Sequence, residues 1–193
     1  MFEKELNQEL KDLLRGRIGV ARMDVETRYS TIRERQREGR QRLEREVRRE
    51  LQRELGDAEP VQISVSHTSI NEESWIIVVG SDQYVGVDLE SKARKTQPGI
   101  LNRITNSEER SRADWDSLKF WVVKEAAFKS NPDNSETVLP QYIIQEWNPS
   151  RNEGIVLLPK RHSRATETPG LGKVCRFRLL ELEQWYIAFA HTF

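Results

Sequence analysis

The sequence predicts an α+β protein that begins with an all-helical arm, and two changes along the chain lead to this prediction. Residues 1–56 contain no proline and few β-branched side chains, and they are rich in Arg, Glu and Gln, which favours helix. After Pro60, apolar residues recur with period two and Val and Ile become frequent, which is typical of strands. We therefore divide the chain into a charged helical region, residues 1–56, and an α+β domain, residues 57–193.

The first region is expected to form two helices, at 3–14 and at about 24–55, separated by the glycine-containing segment 15–19. We expect no strand there. The second helix carries a narrow apolar stripe that recurs every four residues. The stripe consists of Leu43, Val47, Leu51 and Leu55. Such a helix is either solvated and held by i,i+4 ion pairs, or it binds a partner or a second copy of the chain.

The α+β domain is expected to contain two helices, with strands both before and after them. Strands are predicted at 61–66, 75–79, 84–90, 142–147, 154–158, 174–180 and 185–190. Turn-forming residues at 80–82 predict that the second and third strands form a hairpin. Asn106 or Ser107 is expected to cap a short helix, and a longer helix is predicted at 116–130. A polar loop is expected at 161–172.

Composition limits the classes of function. The chain has 193 residues, with 31 basic and 31 acidic side chains, so its net charge of zero gives no reason to expect nucleic acid or an anionic membrane as partner. No apolar run approaches the roughly 20 residues of a membrane span. The charged beginning of the chain and the single cysteine, Cys175, lead us to expect a cytoplasmic protein.

The first candidate site lies in the strand Tyr-Val-Gly-Val-Asp-Leu-Glu. Strand alternation places Asp88 and Glu90 side by side on the face that also carries Gly86. A glycine at this position leaves room for a ligand or another backbone. Paired carboxylates suit Mg²⁺, which takes one or two of them together with water and phosphate oxygens. The alternative is an exposed acidic strand face.

The second candidate lies in the helix predicted at 116–130. Trp121, Glu125 and Lys129 share one stripe at i, i+4 and i+8, and Lys124 lies beside it. Apolar residues occupy the other side, so the helix is expected to be buried near its middle, where charge is costly unless it has a function. The alternative is an ordinary Glu–Lys pair on an amphipathic helix.

The third candidate is His67, which follows a short strand among the hydroxyl side chains of Ser64, Ser66, Thr68 and Ser69. The chain lacks the strained nucleophile elbow of a serine hydrolase, and its three histidines and one cysteine have no zinc-ligand spacing. Hydroxyls and an imidazole at a strand end remain suited to binding a phosphate.

Each pattern is unspecific alone, but their order along the chain is specific. The motifs S-x-S-H-T at 64–68, G-V-D-L-E at 86–90 and W-V-V-K-E-A-A-F-K at 121–129 together closely resemble the 4'-phosphopantetheinyl transferase superfamily, in the motif order of its surfactin-synthase type. The match extends over about residues 51–129, and the closing strands are similar only in character. The resemblance implies an antiparallel sheet packed with helices.

The resemblance also implies a reaction, in which the phosphopantetheine arm of coenzyme A is transferred to a serine of an acyl or peptidyl carrier protein and adenosine 3',5'-bisphosphate is released. By analogy, Asp88, Glu90 and Glu125 would hold Mg²⁺ and Glu125 would act as general base. Lys129, with Lys124 near it, would bind the pyrophosphate. The positions that contact the coenzyme A phosphates correspond to Ser66 and His67.

The chain departs from the surfactin-synthase type at its beginning. Mostly charged helix stands where that type has a full α/β half, whose basic residues contact the nucleotide end of coenzyme A. Arg15, Arg17 or Arg22 are candidate substitutes. The surface left by the missing half must be covered by the helices or by a second copy, so we expect a homo-oligomer.

Two other functions stay open at this point. The chain could be a catalytically degenerate relative that binds coenzyme A or a carrier, or an assembly protein that acts through its helices. The sequence leaves open which carrier is modified, in fatty acid, polyketide or peptide synthesis, and whether Mg²⁺ or Mn²⁺ is used.

Overall fold

The fold is a mixed α+β arrangement of two antiparallel sheets and several helices. We describe a computed structural model over residues 2–15, 17–56, 61–111, 116–134, 138–159 and 173–193. The polar loop predicted at 161–172 lies outside these residues. No helix in the described ranges is long and apolar enough to cross a membrane.

Helices and strands alternate only at the beginning of the described chain, and after that they follow in groups of strands, helices and strands. The helices are α1 (Phe2–Leu14), α2 (Ile32–Leu55), α3 (Ile100–Ile104), α4 (Ser107–Arg110) and α5 (Ser117–Ser130), with a 3₁₀ turn at Leu139–Gln141. The strands are β1 (Gly19–Glu26), β2 (Gln62–Ile70), β3 (Glu73–Ser81), β4 (Tyr84–Ser91), β5 (Ile143–Asn148), β6 (Glu153–Leu157), β7 (Val174–Glu181) and β8 (Trp185–Thr192). One sheet has the order β1-β3-β2 and the other β4-β8-β7-β6-β5.

The prediction of an all-helical N-terminal arm is wrong, because β1 lies between the two helices. It pairs with β3 from Gly19↔Ser81 to Glu26↔Ser74. Both faces of β1 are covered, since Val20 packs in the core under α2 while Met23 packs in the core under α1. From Ala21 to Glu26 apolar and polar side chains do alternate, but this six-residue pattern lies between two longer helix-favouring segments, whose composition outweighs it.

Helix α2 starts later than predicted, at a capping box in which Thr31 and Glu34 exchange hydrogen bonds. Its apolar stripe is buried against the three-stranded sheet, where it meets Ile76 and Val78 of β3. Gly39 belongs to the contact, because a Cβ there would lie 2.2 Å from the Ile76 side chain. The stripe thus binds its own chain, and only the opposite face of α2 is solvated.

The predicted hairpin between β3 and β4 is also wrong. β3 forms its hairpin with β2, through Asn71 and Glu72 at φ 47° and 69°. A two-residue turn with both central residues at positive φ matches the twist of paired strands, but it is usually recognised by a glycine that this turn lacks. The segment 82–83 instead leads the chain from one sheet to the other, where β4 pairs with β8.

The two sheets meet where β2 lies beside β4. The hydroxyls of Ser64 and Ser66 accept hydrogen bonds from the backbone N–H groups of Val87, at 3.0 Å, and Leu89, at 3.1 Å. Helix α5 packs across β4 from the other side, and the absence of a side chain at Gly86 allows this, because a Cβ there would lie 1.9 Å from the Ala126 carbonyl oxygen. Strand β4, which carries Asp88 and Glu90, therefore lies between β2 and α5.

Candidate active site

Strand β4 presents its carboxylates to α5, as the alternation predicts. Val87 and Leu89 lie in the core on the α1 side, and Asp88 and Glu90 point the other way. Both carboxylates are buried, with only 5% of Asp88 and 6% of Glu90 exposed. The alternative of an exposed acidic face is thereby excluded, and the burial of two carboxyl groups on one strand face needs a compensating partner.

Asp88 has such a partner at one oxygen only. Its Oδ1 accepts hydrogen bonds from Ser66 Oγ, at 2.8 Å, and from Lys129 Nζ, at 2.7 Å. Lys129 also donates to the Val87 carbonyl oxygen, at 3.1 Å, so its ammonium is fixed against β4. Asp88 Oδ2 is buried and has no hydrogen-bond partner among the residues that the structure describes.

Glu90 repeats this pattern. One oxygen forms an ion pair with Arg94, and Oε2 is buried with no hydrogen-bond partner in the described part of the chain. Burial and the neighbouring Asp88 raise the pKa of Glu90 to about 7, although Arg94 and Lys129 oppose the shift. Within the described ranges, two buried oxygens on these two carboxylates thus lack the donor or cation that such atoms normally have.

Glu125 completes a group of three carboxyls, which we call the carboxylate cluster: Asp88, Glu90 and Glu125. Burial raises the pKa of Glu125, and Asp88 raises it further, while Lys129 and Arg94 act in the opposite direction. The same residues act on Glu90, so the structure brings Glu125 and Lys129 of α5 into the electrostatic environment of the β4 carboxylates. Three carboxyl groups here face two cations.

Lys124, the neighbour of Glu125, is not part of this cluster. It is fully buried, and its Nζ donates to Glu109 Oε2, at 2.6 Å, and to the Ile104 carbonyl oxygen, at 2.7 Å. Glu109 in turn accepts from the backbone N–H of Ile144, at 2.8 Å. The predicted contact of Lys124 with coenzyme A is replaced by a structural role, because its ammonium is enclosed where α3, α4, α5 and β5 meet.

Ser66 and His67 face different surroundings, because neighbouring residues on a strand point to opposite sides. The hydroxyl of Ser66 is engaged by Asp88 and Leu89, so it orients the carboxylate and is not available to a phosphate. His67 is exposed. Desolvation, Lys129 and Arg40 lower the pKa of His67 against the opposing effect of Asp88, so the imidazole is neutral at pH 7.

Arg40, which forms an ion pair with Glu44, is a basic neighbour of His67 that the sequence analysis missed. It follows Gly39, which packs on Ile76, and Ile76 pairs directly with His67 across the sheet. The candidates named from the sequence lie elsewhere: Arg22 is paired with Glu50, and Arg15 and Arg17 precede the end of β1 that pairs with Ser81. No sequence signal marks Arg40 among the many arginines of α2, because only the packing of α2 on β3 selects it.

A cavity of about 590 Å³ opens beside the carboxylate cluster. Glu125 and Trp121 form part of its wall, and Arg94 lies over the Trp121 ring, with the guanidinium carbon 5.4 Å from the ring centre. The Trp121 side chain is half-buried and packs against the core around α5. Lys95 and Arg103 add positive charge to an otherwise largely apolar lining.

The cluster fits Mg²⁺ by the chemistry of its donors. Hard carboxylate oxygens are its preferred protein ligands, and Asp88 and Glu90 each offer one that has no partner in the part of the chain that the structure describes. The described residues do not include three His, Cys, Asp or Glu side chains arranged closely enough to hold a metal ion by themselves. Such an arrangement suits an ion that keeps most of its sphere for water and phosphate oxygens.

Comparison with models of known protein families and with curated proteins finds no match to this chain. A function for the site is therefore argued from its geometry and chemistry.

Proposed function

We propose that this chain transfers the 4'-phosphopantetheine arm of coenzyme A to a serine of an acyl or peptidyl carrier protein and releases adenosine 3',5'-bisphosphate. The observation that carries the proposal is the pair of buried oxygens on Asp88 and Glu90 that have no partner among the described residues, next to Glu125 and Lys129. A cation-accepting carboxylate pair, a carboxyl with a raised pKa and a fixed ammonium are the groups that a phosphoryl-type transfer from a pyrophosphate needs.

Asp88 and Glu90 would hold Mg²⁺, with Glu125 contributing directly or through water. When bound, Mg²⁺ supplies positive charge that neutralises the pyrophosphate at the site of attack. Ser66 keeps Asp88 in position through its hydroxyl. Lys129 lies against Asp88 in the described contacts, and it would add a second positive charge to the leaving phosphate.

Glu125 is the proposed general base. It would accept the proton of the carrier serine hydroxyl, directly or through a water molecule, as the serine oxygen forms its bond to phosphorus and the pyrophosphate bond breaks. The raised pKa of Glu125 supports this role, because a base is most effective when its pKa lies nearer to the working pH. His67 and Arg40 would contact the phosphates at the nucleotide end of coenzyme A.

A degenerate relative that binds coenzyme A without catalysis is a second candidate. It is favoured by one observation, the lack of a ready three-ligand metal group in the described ranges. An assembly protein that acts through α2 is less well supported, because the apolar stripe of α2 is used inside the chain. The homo-oligomer and the cytoplasmic location stay predictions.

Intact-mass spectrometry of several apo-carriers, incubated with the chain, coenzyme A and Mg²⁺, tests the proposal. We expect one carrier to gain the mass of one phosphopantetheine, and Glu125→Gln to abolish the gain. Lys119→Gln is the matched control, because Lys119 lies on α5 and pairs with Glu181, outside the cluster. No mass gain on any carrier, together with measurable coenzyme A binding, would favour the degenerate relative.

A further inference from the structure

Arg94 stands between the carboxylate cluster and the neighbouring cavity. It lies four residues beyond Glu90, in the turn where its own N–H bonds to the Ser91 carbonyl oxygen at 2.9 Å. Its guanidinium pairs with Glu90 and lies over the ring of Trp121, and the side chain also lines the cavity. One side chain thus contacts the candidate metal ligand and the candidate ligand cavity at the same time.

The two cations of the cluster are held very differently. Lys129 is fixed by Asp88 and by the Val87 carbonyl oxygen, and it projects from a helix packed on β4. Arg94 belongs to a turn, its side chain is 47% exposed, and Glu90 is its one carboxylate partner among the described residues. A divalent cation that shares Glu90 would repel a guanidinium at contact distance. Arg94 is the cation that can yield.

We propose that Arg94 is a displaceable counter-ion of Glu90: it pairs with this carboxylate when no divalent cation is bound, and it leaves when one binds, staying over Trp121 to receive a phosphate group of the ligand. This inference rests on the proposed function in one respect, the binding of a divalent cation by Asp88 and Glu90. The exchange frees both Glu90 oxygens, of which Oε2 is already without a partner in the described contacts.

The indole ring of Trp121 would keep the released guanidinium of Arg94 at the cavity wall. A guanidinium over an indole ring keeps a favourable cation–π contact while its N–H groups point elsewhere. At the cavity wall those groups face the side from which a ligand would approach the cluster, and their planar fork suits two oxygens of one phosphate. Arg94 is therefore a ligand-binding residue that changes partner from Glu90 to the ligand.

Titration of the full chain with Mn²⁺ alone, followed by electron paramagnetic resonance, tests the first half of the exchange. We expect Arg94→Met, which keeps an alkyl stem over Trp121, to bind Mn²⁺ about three- to fivefold more tightly, because the competing ion pair is gone. Arg94→Lys should stay close to the unsubstituted chain. Lys95→Met is the matched control, because it removes a charge from the same cavity wall without removing the Glu90 partner.

The second half is tested by inorganic pyrophosphate binding with Mn²⁺ present, for which we expect weaker binding by Arg94→Met. Equal Mn²⁺ affinities of Arg94→Met and Lys95→Met would overturn the inference and leave the cation site intact. If the unsubstituted chain binds no Mn²⁺, the cation site of the proposed function fails, and Arg94 is then a permanent partner of Glu90. If Arg94→Met does not fold, Arg94→Gln serves in the same titration with the same expected direction.

Discussion

Two neighbouring residues of α5, Lys124 and Glu125, lie in opposite electrostatic surroundings. Lys124 is fully buried in a closed network in which Glu109 receives hydrogen bonds at both of its oxygens. Glu125 belongs to the carboxylate cluster, in which two buried carboxylate oxygens lack a partner in the described contacts and three carboxyls face two cations. A closed network holds elements together, whereas an open one is available to a ligand. Within one motif, the comparison thus distinguishes a charged residue that stabilises the fold, Lys124, from one that is available for chemistry, Glu125.

The largest expected effect is a loss of stability when the closed network of Lys124 and Glu109 is disrupted. Lys124→Met leaves the carboxylate of Glu109 buried without its counter-ion, so we expect the free energy of unfolding to fall by about 3–5 kcal/mol. Urea unfolding measures it. The control is Lys124→Met with Glu109→Gln, which removes both charges and should recover much of the loss. A stable Lys124→Met protein that binds coenzyme A poorly would instead place Lys124 in the site.

A substitution in the carboxylate cluster should lower the activity but not the stability. Glu125→Gln removes the proposed base, so we expect carrier modification to fall by at least about 100-fold. Its free energy of unfolding should be unchanged or higher, because burial disfavours the charged form of Glu125. Quenched time courses of carrier mass measure the activity, and urea unfolding measures the stability. A variant that loses stability and activity in parallel would assign Glu125 to the structural side.

The pH dependence of stability sharpens the comparison further. The pKa of Glu90 in the fold is about 7, above its ordinary value of 4.5, so the folded state binds a proton more tightly than the unfolded state. The contribution of Glu90 is therefore present below pH 4.5 and is lost as pH rises towards 7, by about 1–3 kcal/mol without metal.

Urea unfolding at several pH values, with and without Mg²⁺, measures this loss. Glu90→Gln serves as the control, because the difference between the two proteins isolates this carboxyl from all others. We expect Mg²⁺ to reduce the loss, since it favours the deprotonated carboxylate. Parallel pH profiles of the two proteins would contradict the open, proton-binding state of Glu90.

The smallest expected effect concerns Arg40, the basic neighbour of His67. Arg40→Ala removes a positive charge beside His67, so we expect coenzyme A to bind about three- to tenfold more weakly. Arg53→Ala on the same helix is the matched control, because it lies beyond the part of α2 that packs near His67. Calorimetry gives both affinities. Equal losses in the two variants would mean that only the overall charge of α2 matters.

Much of the fold around the site follows from local patterns. The alternation along β4 predicts that Asp88 and Glu90 share a face, and the bounds of α5 follow from the cap at Asp116 and the proline at 132. β1 is missed although Ala21 to Glu26 alternate, because the helix-favouring composition of residues 1–56 outweighs so short a pattern. The turn at Asn71 and Glu72 carries no glycine, so turn residues alone indicate the wrong pair of strands as the hairpin.

The candidate site divides in the same way. The motif residues on β4 and α5 could be named from the sequence, because each motif keeps its own geometry. Arg40 and Arg94 become candidate site residues only through contacts with segments distant in the chain or beside the cavity. The burial of Lys124 likewise depends on Glu109 of α4. A helix pattern shows which residues share a stripe, but it does not show which neighbour meets the stripe.

Calorimetric binding of coenzyme A with and without Mg²⁺ tests the central claim most directly, because it asks whether the open cluster is a cation site that serves a pyrophosphate. We expect Mg²⁺ to strengthen coenzyme A binding by at least about tenfold in the unsubstituted chain, and to have little effect in Asp88→Asn. A coenzyme A affinity that is independent of Mg²⁺, or equally dependent on it in Asp88→Asn, would contradict the account.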